Sequence, residues 1–353
     1  MKGLILSGGH GTRLRPLTYS QQKQLIPVAN KPILFYAIED LIEAGIREIG
    51  IVVGPNRDQV QKIVTGRKWD ARIQFIYQEE PQGLAHAVLI SQDFIAGEPF
   101  VMYLGDNLLC NGIVEHVRLF LSGEDDACIL LTEVDQPERF GVAELDEKGQ
   151  VLRLVEKPKV PPSRLALVGV YLFSPAIFEA VKEIRPSWRG ELEITDAIQW
   201  LIDKGYRVKA SLVSGWWKDT GMPGDILSAN NLILDSLPYS CSGLIQGGSQ
   251  VQGRVEIGEG TVLDEHSTVR GPAIIGQNCS ISNSYIGPYT SIGSDCVIRN
   301  SEIEGSIVME GTEIDFKGKI VDSLIGTRVK IGESSKKPVG YRFIVGDGSE
   351  VKI

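Results

Sequence analysis

The feature that most constrains the fold of this sequence is a six-residue repeat in its last third. Aliphatic residues recur every six positions from Ile245 onward, and the phase slips by one after Ile281. Glycine directly follows many of them, as at Gly258 and Gly276. A hexapeptide repeat is typical of a parallel β-helix, in which the aliphatic side chains point into a three-sided prism. The repeat positions are Ile245, Val251, Ile257, Leu263, Val269, Ile275, Ile281, Ile286, Ile292, Ile298, Val308, Ile314, Ile320, Ile325, Ile331, Val345 and Val351.

The borders of this repeat region suggest a division of the chain into two domains. A β-sandwich with accidental spacing is the alternative, but chance rarely places so many aliphatic residues in one period. Lys336–Phe343 interrupts the repeat and is expected to loop out of one corner. Asp225–Leu237 is predicted as a helix that links the two parts. We therefore expect one domain over residues 1–235 and a β-helix domain over residues 236–353.

The N-terminal part alternates predicted strands with predicted helices. Such alternation favours an α/β fold with a mostly parallel sheet covered by helices on both faces. Ligands of such sheets bind at the carboxyl ends of the strands. The predicted strands are Gly3–Leu6, Glu48–Val53, Ile73–Tyr77, Phe100–Leu104, Ala127–Val134, Leu167–Phe173 and Arg207–Val213. The predicted helices are Ile33–Ala44, Gly83–Phe94, Pro175–Ile184 and Leu192–Lys204.

Composition excludes several classes of function. Of the 353 residues, 42% are hydrophobic and 23% are charged, which is ordinary for a globular protein. The net charge of −9 argues against binding to nucleic-acid polymers, which favour a basic surface. The five cysteines form no CxxC pair, and Cys128 lies in an apolar run that predicts a buried thiol. No targeting segment or membrane-length apolar run is recognisable, so we expect a cytoplasmic protein without a membrane segment.

A glycine-rich segment follows the first predicted strand. Residues 6–18 read LSGGHGTRLRPLT, and glycines after a strand let a phosphate approach the backbone. The segment lacks the third glycine of a dinucleotide fingerprint and the Gly-Lys-Ser/Thr of a P-loop. Backbone N–H groups, the Thr12 hydroxyl and the Arg13 guanidinium together suit a triphosphate. A plain glycine-rich turn is the alternative. Within the segment, His10 is expected only to fill the loop, and Arg15 to serve as scaffold.

The glycine-rich segment and later motifs together resemble the sugar-1-phosphate nucleotidylyltransferases. The set is most similar to the long form of glucose-1-phosphate thymidylyltransferases. This resemblance implies a Rossmann-like mixed, mostly parallel sheet, followed by a left-handed parallel β-helix. The motifs are Gly8–Thr18, Lys23–Val28, Lys31-Pro32, Gln78 with Gly83-Leu84-Ala85, Leu104–Asn107, Phe140-Gly141, Glu156-Lys157-Pro158, Arg189–Asp196 and Trp217–Gly221.

The resemblance implies a reaction between two anions. The phosphate of glucose-1-phosphate attacks the α-phosphorus of dTTP in line, giving dTDP-glucose and pyrophosphate. A phosphate monoester is already ionised at neutral pH, so the enzyme must position the groups and offset charge rather than supply a strong base. Arg13 and Lys23 match positions that contact the triphosphate, and Lys157 matches the lysine that holds the sugar phosphate. Solvated surface lysines are the alternative.

A magnesium site is also implied by the resemblance. Mg²⁺ prefers one or two carboxylates together with phosphate oxygens and water. Asp106 and Asp219 match the carboxylates that bind this ion, and Asp106 belongs to the catalytic set. Asp106 follows the predicted strand Phe100–Leu104, and Asp219 follows the aromatic pair Trp216-Trp217. Spacing alone cannot show that the two aspartates lie together. Turn capping by each aspartate is the alternative.

The remaining matched positions divide between nucleotide and sugar. Gln78 and Gly83 match positions that read the thymine edge, while Tyr171 and Trp217 could equally be core residues. Phe140 stands where family members often have tyrosine. The expected nucleotide-binding residues are Leu6, Gly8, Gly9, Gly11, Thr12, Arg13, Gln24, Gln78 and Gly83. The expected sugar-phosphate-binding residues are Asn107, Gly141, Glu156, Lys157, Tyr171 and Trp217.

Three other functions stay open from the sequence. The scaffold could use UTP or CTP, or another hexose phosphate, because uracil differs from thymine by one methyl group only. The β-helix could transfer acyl groups, although His266 is its single histidine. A non-catalytic regulatory homologue is the third, and the presence of Arg13, Lys23, Asp106 and Asp219 argues against it. The β-helix is expected to form a homo-oligomer.

Overall fold

The computed structural model describes residues 1–9, 11–55, 57–264 and 266–333. The chain divides into two compact units, one over Met1–Ile233 and one that begins at Leu234. The predictions for His10, for the Lys336–Phe343 loop and for the last two repeat positions lie outside the described residues.

A nine-stranded mixed sheet forms the centre of the first unit. Its strands run in the order β10-β9-β11-β6-β1-β4-β5, with β8 beside β11 and β12 beside β8. The strands of this unit are β1 (Lys2–Ser7), β2 (Pro27–Val28), β3 (Lys31–Pro32), β4 (Glu48–Val53), β5 (Arg72–Tyr77), β6 (Phe100–Leu104), β7 (Asn107–Leu109), β8 (Ala127–Glu133), β9 (Gly141–Leu145), β10 (Val151–Glu156), β11 (Leu165–Phe173), β12 (Val208–Leu212) and β13 (Trp217–Asp219).

Helices cover both faces of this sheet. Side chains of a strand alternate between faces, so Leu4 and Leu6 of β1 pack with α3, α6 and α7, whereas Ile5 packs with α1, α2 and α5. The α/β prediction is therefore confirmed. The helices are α1 (Ile33–Glu43), α2 (Arg57–Thr65), α3 (Leu84–Leu89), α4 (Gln92–Ile95), α5 (Val114–Ser122), α6 (Ile177–Glu183), α7 (Ile194–Asp203) and α8 (Pro223–Leu234), with 3₁₀ turns at Thr12–Leu14, Leu17–Tyr19, Lys23–Leu25 and Pro137–Arg139.

The predicted elements omitted helices α2 and α5 and strands β9 and β10, and one predicted helix is divided in the structure. The helix predicted over Gly83–Phe94 is two helices, α3 and α4. Between them, the Ser91 hydroxyl donates a hydrogen bond of 2.7 Å to the Ala87 carbonyl. A serine that bonds back to the preceding turn competes with the helical ladder, which explains the break.

The second unit contains three stacked sheets of short parallel strands, as a β-helix requires. Its aliphatic residues form columns, for example Leu263, Ile281 and Ile298, which pair in register along one sheet. The slip in the repeat is real, since Val269 pairs with Ile286 and that coil is one residue shorter. The architecture is consistent with the expected left-handed β-helix. The strands are Ser240–Cys241, Leu244–Ile245, Gln250–Gln252, Val255–Ile257, Val262–Leu263, Thr268–Arg270, Ala273–Ile275, Ser280–Ser282, Tyr285–Ile286, Thr290–Ile292, Val297–Arg299, Glu302–Glu304, Ile307–Val308, Glu313–Asp315, Lys319–Val321, Leu324–Ile325 and Lys330–Gly332.

Two further predictions concern the Cys128 thiol and membrane-spanning segments. Cys128 is buried, as its apolar run predicted. Among the described residues, no helix has both the length and the apolar character needed to cross a membrane.

Candidate active site

The glycines after β1 allow two polar side chains to approach the backbone closely. A Cβ atom at Gly8 would lie 3.2 Å from Oε1 of Gln78. Gly11 has a φ of +61°, and a Cβ atom there would lie 3.1 Å from Cβ of Lys23. Gly9 is exposed, with open space around it. The glycines thus bring the loop next to a lysine and a glutamine that were assigned to the nucleotide.

The other residues of this segment differ in their surroundings. The Leu6 side chain is buried in the core, and its carbonyl accepts a hydrogen bond of 3.0 Å from the backbone N–H of Gly105. Thr12 and Arg13 are exposed at the start of a 3₁₀ turn. The guanidinium of Arg15 stacks over the Tyr19 ring at 4.9 Å. This stacking agrees with a scaffold role for the second arginine.

A short two-stranded sheet brings the two predicted metal-binding aspartates together. Strands β7 and β13 pair antiparallel, and Asp219 stands opposite Asn107, the residue after Asp106. The Asp106 carbonyl accepts hydrogen bonds from the Thr220 N–H and hydroxyl, at 3.0 and 2.7 Å. The Lys23 ammonium forms an ion pair with the Asp106 carboxylate. The two aspartates therefore share one site with Lys23.

The two carboxyl groups differ in their ionisation. Burial alone would raise the pKa of Asp106, but the Lys23 ammonium and a hydrogen bond from Asn107 outweigh it and hold this pKa below its usual value. Burial, followed by the charge of Asp106, raises the pKa of Asp219 to about 6. Lys23 and Arg13 oppose that rise. Two carboxylates that share a site show this behaviour because ionising the first disfavours the second.

The donor set at this position fits Mg²⁺. Proteins usually bind this ion through one or two carboxylates, and phosphate oxygens and water complete its octahedral coordination. Within the described ranges, no group of three or more His, Cys, Asp or Glu side chains could hold a metal ion by itself. A site of two carboxylates that is completed by substrate oxygens is consistent with both observations.

Several residues expected to bind the sugar phosphate, called the sugar side below, lie around the β9–β10 hairpin. Gly141 stands opposite Glu156 in this hairpin, and a Cβ atom at Gly141 would lie 3.1 Å from Oε2 of Glu156. The Lys157 ammonium lies 3.6 Å from Oε1 of Glu156. Tyr171 is buried. Its burial, together with the nearby charge of Glu156, raises the pKa of its phenol. Gly141, Lys157 and Tyr171 thus surround the Glu156 carboxylate.

Trp217 connects the sugar side with the aspartates. Its indole N–H donates a hydrogen bond of 2.8 Å to Oδ1 of Asn107, and the Asn107 amide donates one of 3.1 Å to Asp106. The edge of the Trp217 ring packs on Phe140 at 5.2 Å between centroids. The Phe140 carbonyl accepts a hydrogen bond of 3.0 Å from the Lys157 N–H. A continuous series of contacts therefore joins the two groups of residues.

Arg189 is surrounded by carboxylates. Its guanidinium forms ion pairs with Glu156 at 3.5 Å, with Glu191 at 3.1 Å and with Glu193 at 3.2 Å. The structure thus gives this residue, whose role the sequence left open, a position beside the sugar-side carboxylate. It ties the loop before α7 to β10.

Of the two residues assigned to the thymine edge, Gln78 follows β5 and Gly83 directly precedes α3. Gln78 is buried, and its amide nitrogen lies 2.9 Å from Nδ1 of His86. Gly83 has a φ of +110°, and a Cβ atom there would lie 2.4 Å from the Leu192 carbonyl oxygen. The Ala85 N–H donates a hydrogen bond of 3.0 Å to that same oxygen. The backbone of Leu192 therefore holds the loop that carries Gly83.

Three residues of the site were not assigned a role from the sequence. Gln22 donates hydrogen bonds to the loop after β1. Gly169 has a φ of +76°, and a Cβ atom there would lie 3.0 Å from the Asn107 amide nitrogen. Gly221 lies beside Arg13 and Asp219. No spacing or motif distinguishes Gln22 or Gly169, since their importance depends on what the fold brings next to them.

Gly221 offers a test of the geometry around the aspartates. A Cβ atom there would lie 2.7 Å from Oδ2 of Asp219 and 3.2 Å from Nη2 of Arg13. Gly221→Ala should lower kcat/KM by about 10- to 100-fold, since small misplacements of reacting groups have such effects. The melting temperature should change little, because both contacts are ends of side chains. Gly224→Ala is the control, since nothing lies within 4 Å of its Cβ position. Equal activity of the two variants would contradict this geometry.

Comparison with known proteins agrees with the sequence motifs. The nucleotidyl transferase family model matches residues 2–236. A glucose-1-phosphate thymidylyltransferase of Streptomyces griseus is 49% identical over 354 residues, which cover 100% of this chain and 99% of that protein. A Bacillus anthracis structure, provisionally named a glucose-1-phosphate thymidylyltransferase and solved with sucrose, has a TM-score of 0.63 and 35% identity over 68% of this chain and 98% of that chain. A structure of UDP-glucose pyrophosphorylase with UDP-glucose has a TM-score of 0.59 and 28% identity over 66% of this chain and 98% of that chain. The family match, the full-length relative and the assembled motifs together show that this chain belongs to the nucleotidyl transferase family.

Proposed function

We propose that this protein transfers a nucleotidyl group from dTTP to glucose-1-phosphate and releases pyrophosphate. The observation that supports it most is the cluster of Asp106, Asp219, Lys23 and Arg13 at the carboxyl end of β1 and β6. A full-length relative that is 49% identical and named for this reaction supports the same choice.

The chain's own cations offset the repulsion between the two anionic substrates. Arg13 and Lys23 would contact the triphosphate, and Lys157 would contact the phosphate of the sugar. The attacking phosphate oxygen is already ionised, so the residues mainly hold the two substrates in line. Mg²⁺, when bound by Asp106 and Asp219, would neutralise charge on the phosphate oxygens.

Nucleotide contacts are proposed for the loop after β1 and for the start of α3. Leu6, Gly8, Gly9, Gly11 and Thr12 would offer backbone and hydroxyl groups to the nucleotide. Gln78 and Gly83 would read the imide edge of the base, because a carboxamide supplies one donor and one acceptor. Gln24 would supply a further contact.

Sugar contacts are proposed around Glu156. This carboxylate and the Asn107 amide would bond the hydroxyl groups. The contact proposed for Gly141 is through its backbone, because a Cβ atom there would lie 2.7 Å from the Leu167 side chain. Trp217 would cover the apolar side of the sugar. Tyr171, the other expected aromatic residue, is buried in the core and would cover little of it. Because Phe140 has no hydroxyl, any contact from a tyrosine at that position is absent.

Pyrophosphate release with glucose-1-phosphate and a panel of nucleoside triphosphates tests this proposal. We expect turnover with dTTP in the presence of Mg²⁺, and lower turnover with UTP. A thymine methyl group contributes at most about 1–3 kcal/mol to discrimination, so some UTP use is expected. No turnover with either nucleotide would contradict the proposal, and equal kcat/KM for the two would contradict thymidine preference.

The UTP-dependent alternative has specific support, because the structural neighbour with UDP-glucose shares the catalytic fold. The acyltransferase alternative would need a catalytic base in the β-helix. His266 is exposed with a φ of +68°, and consumption of acetyl-CoA with glucosamine-1-phosphate would favour this alternative. Assembly into a homo-oligomer through the β-helix and a cytoplasmic location stay predictions.

A further inference from the structure

The side-chain amide of Gln22 lies among three acceptors beneath the loop after β1. Its Nε2 atom is 3.0 Å from the Ser7 carbonyl oxygen, 3.0 Å from the Gly9 carbonyl oxygen and 2.9 Å from Oε1 of Gln24. Gln22 is only 5% exposed. An amide that connects two carbonyls of one loop restrains that loop, because releasing it would remove a donor from both, and the bond to Ser7 is buried.

The position of Gln22 is itself fixed from α2. The Gln22 backbone N–H donates a hydrogen bond of 3.1 Å to Oε1 of Gln59, and the Gln59 amide donates one of 3.0 Å to the Ser20 carbonyl. Gln22 also ends the segment just before the 3₁₀ turn that carries Lys23 and Gln24. The side chain therefore joins two separate backbone segments that both face the nucleotide.

The three acceptors determine the orientation of the side-chain amides of Gln22 and Gln24. Two of them are backbone carbonyls, so the NH₂ group of Gln22 must face them, since its oxygen would meet two other oxygens. The same NH₂ group then faces Gln24, which must present its oxygen in return. In this orientation the NH₂ group of Gln24 is directed away from Gln22 and is the donor that Gln24 can offer to a ligand.

We propose that Gln22 is a positioning residue for the nucleotide, which restrains the loop after β1 and directs the Gln24 amino group toward an oxygen acceptor of the nucleotide. This inference rests on the proposed function, in which the loop and Gln24 contact the nucleotide. Gln22 itself is not a catalytic residue, because it acts through Ser7, Gly9 and Gln24. Its effect should therefore be confined to the nucleotide.

Steady-state kinetics of Gln22→Met in the full-length protein test the proposal. Methionine keeps the length of the side chain and removes the donors. We expect the KM for dTTP to rise about tenfold, which matches the loss of about one buried hydrogen bond, while the KM for glucose-1-phosphate stays unchanged. Gln21→Met is the matched control, because among the described residues the Gln21 amide bonds only the nearby Leu25 carbonyl, at 2.8 Å.

A double-mutant cycle with Gln24→Met separates positioning from general support of the structure. If Gln22 acts largely through Gln24, adding Gln22→Met to Gln24→Met should raise the KM for dTTP by much less than it does alone. Full additivity would overturn the proposal, as would a parallel rise in both KM values or a Gln22 variant that behaves like the Gln21 control. If Gln22→Met does not fold, Gln22→Leu removes the same donors without adding a charge.

Calorimetric binding of dTTP keeps this test distinct from that of the proposed function. Wild-type protein that turns over neither dTTP nor UTP would contradict the proposed function. Wild-type protein and Gln22→Met with equal dTTP affinity would contradict the positioning role, whatever the turnover.

Discussion

Replacing Asp219 by asparagine should make the metal-free protein more stable while it removes most of the activity. Burial and the charge of Asp106 raise the pKa of Asp219 to about 6, so the folded state resists its ionisation. At pH 8 the cost of ionising Asp219 in the folded state destabilises the folded protein by about 2–3 kcal/mol, given an unfolded pKa of about 3.9. Asparagine carries no charge and avoids this repulsion.

The pH dependence of this gain has a definite sign. Because the folded pKa is raised, the stabilising contribution of the protonated carboxyl is complete below about pH 4 and is lost as pH rises through about 6. Asp219→Asn should therefore exceed wild type in free energy of unfolding at pH 8, and the gain should fade toward pH 4. Asp40, whose pKa burial also raises to about 6, contributes equally to both proteins and cancels in the difference.

Denaturant unfolding with a chelator, together with kinetics in Mg²⁺, measures both effects. The variant should lose at least about 100-fold in kcat, because it lacks one of the two carboxylates proposed for the ion. Asp135→Asn is the matched control, since Asp135 is 95% exposed in its ion pair with Arg164. A variant that is less stable than wild type at pH 8 in chelator would show that the two aspartates do not repel each other.

Gly83→Ala should disrupt both stability and nucleotide use. A Cβ atom at this position would lie 2.4 Å from the Leu192 oxygen and 2.6 Å from its nitrogen, and φ is +110°. Backbone atoms cannot move aside as side chains do, so we expect a loss of about 3 kcal/mol. The shifted loop should also lower kcat/KM for dTTP by about 100-fold.

Gly97→Ala separates the backbone conformation from the collision with Leu192. Gly97 has a φ of +77° with nothing within 4 Å of its Cβ position, so alanine there should cost only about 1 kcal/mol. Thermal unfolding and dTTP kinetics of the two variants should therefore diverge. If both lose the same stability and both keep wild-type KM, the contact between Gly83 and Leu192 has no role in nucleotide binding.

Local patterns in the sequence predicted the architecture well. The aliphatic period anticipated the stacked columns of the β-helix and even the shorter coil at Val269 and Ile286. The central strand β1 could be found because a strand covered on both faces is continuously apolar. In contrast, Ser91 divides a predicted helix through a side-chain hydrogen bond that no period of apolar residues reveals.

The site was less accessible to local patterns. Resemblance supplied its residues, but spacing could not bring Asp106 and Asp219 together, because strands β7 and β13 are three residues long and carry little pattern. The importance of Gln22 comes from two carbonyls and an amide that are distant from one another until the loop folds. Gly169 is similar, since its need for glycine depends on Asn107 from another strand.

The short pairing of β7 with β13 has a consequence for the order of synthesis. Asp219 follows Asp106 by 113 residues, so a growing chain completes most of the sheet long before the second aspartate exists. Contacts between distant parts of a chain form slowly, because a long loop must close first. A nascent chain that ends before β13 therefore has its glycine loop and one aspartate but no complete acidic pair. If both aspartates act as proposed, we expect activity to appear only once nearly all of the first unit has been made.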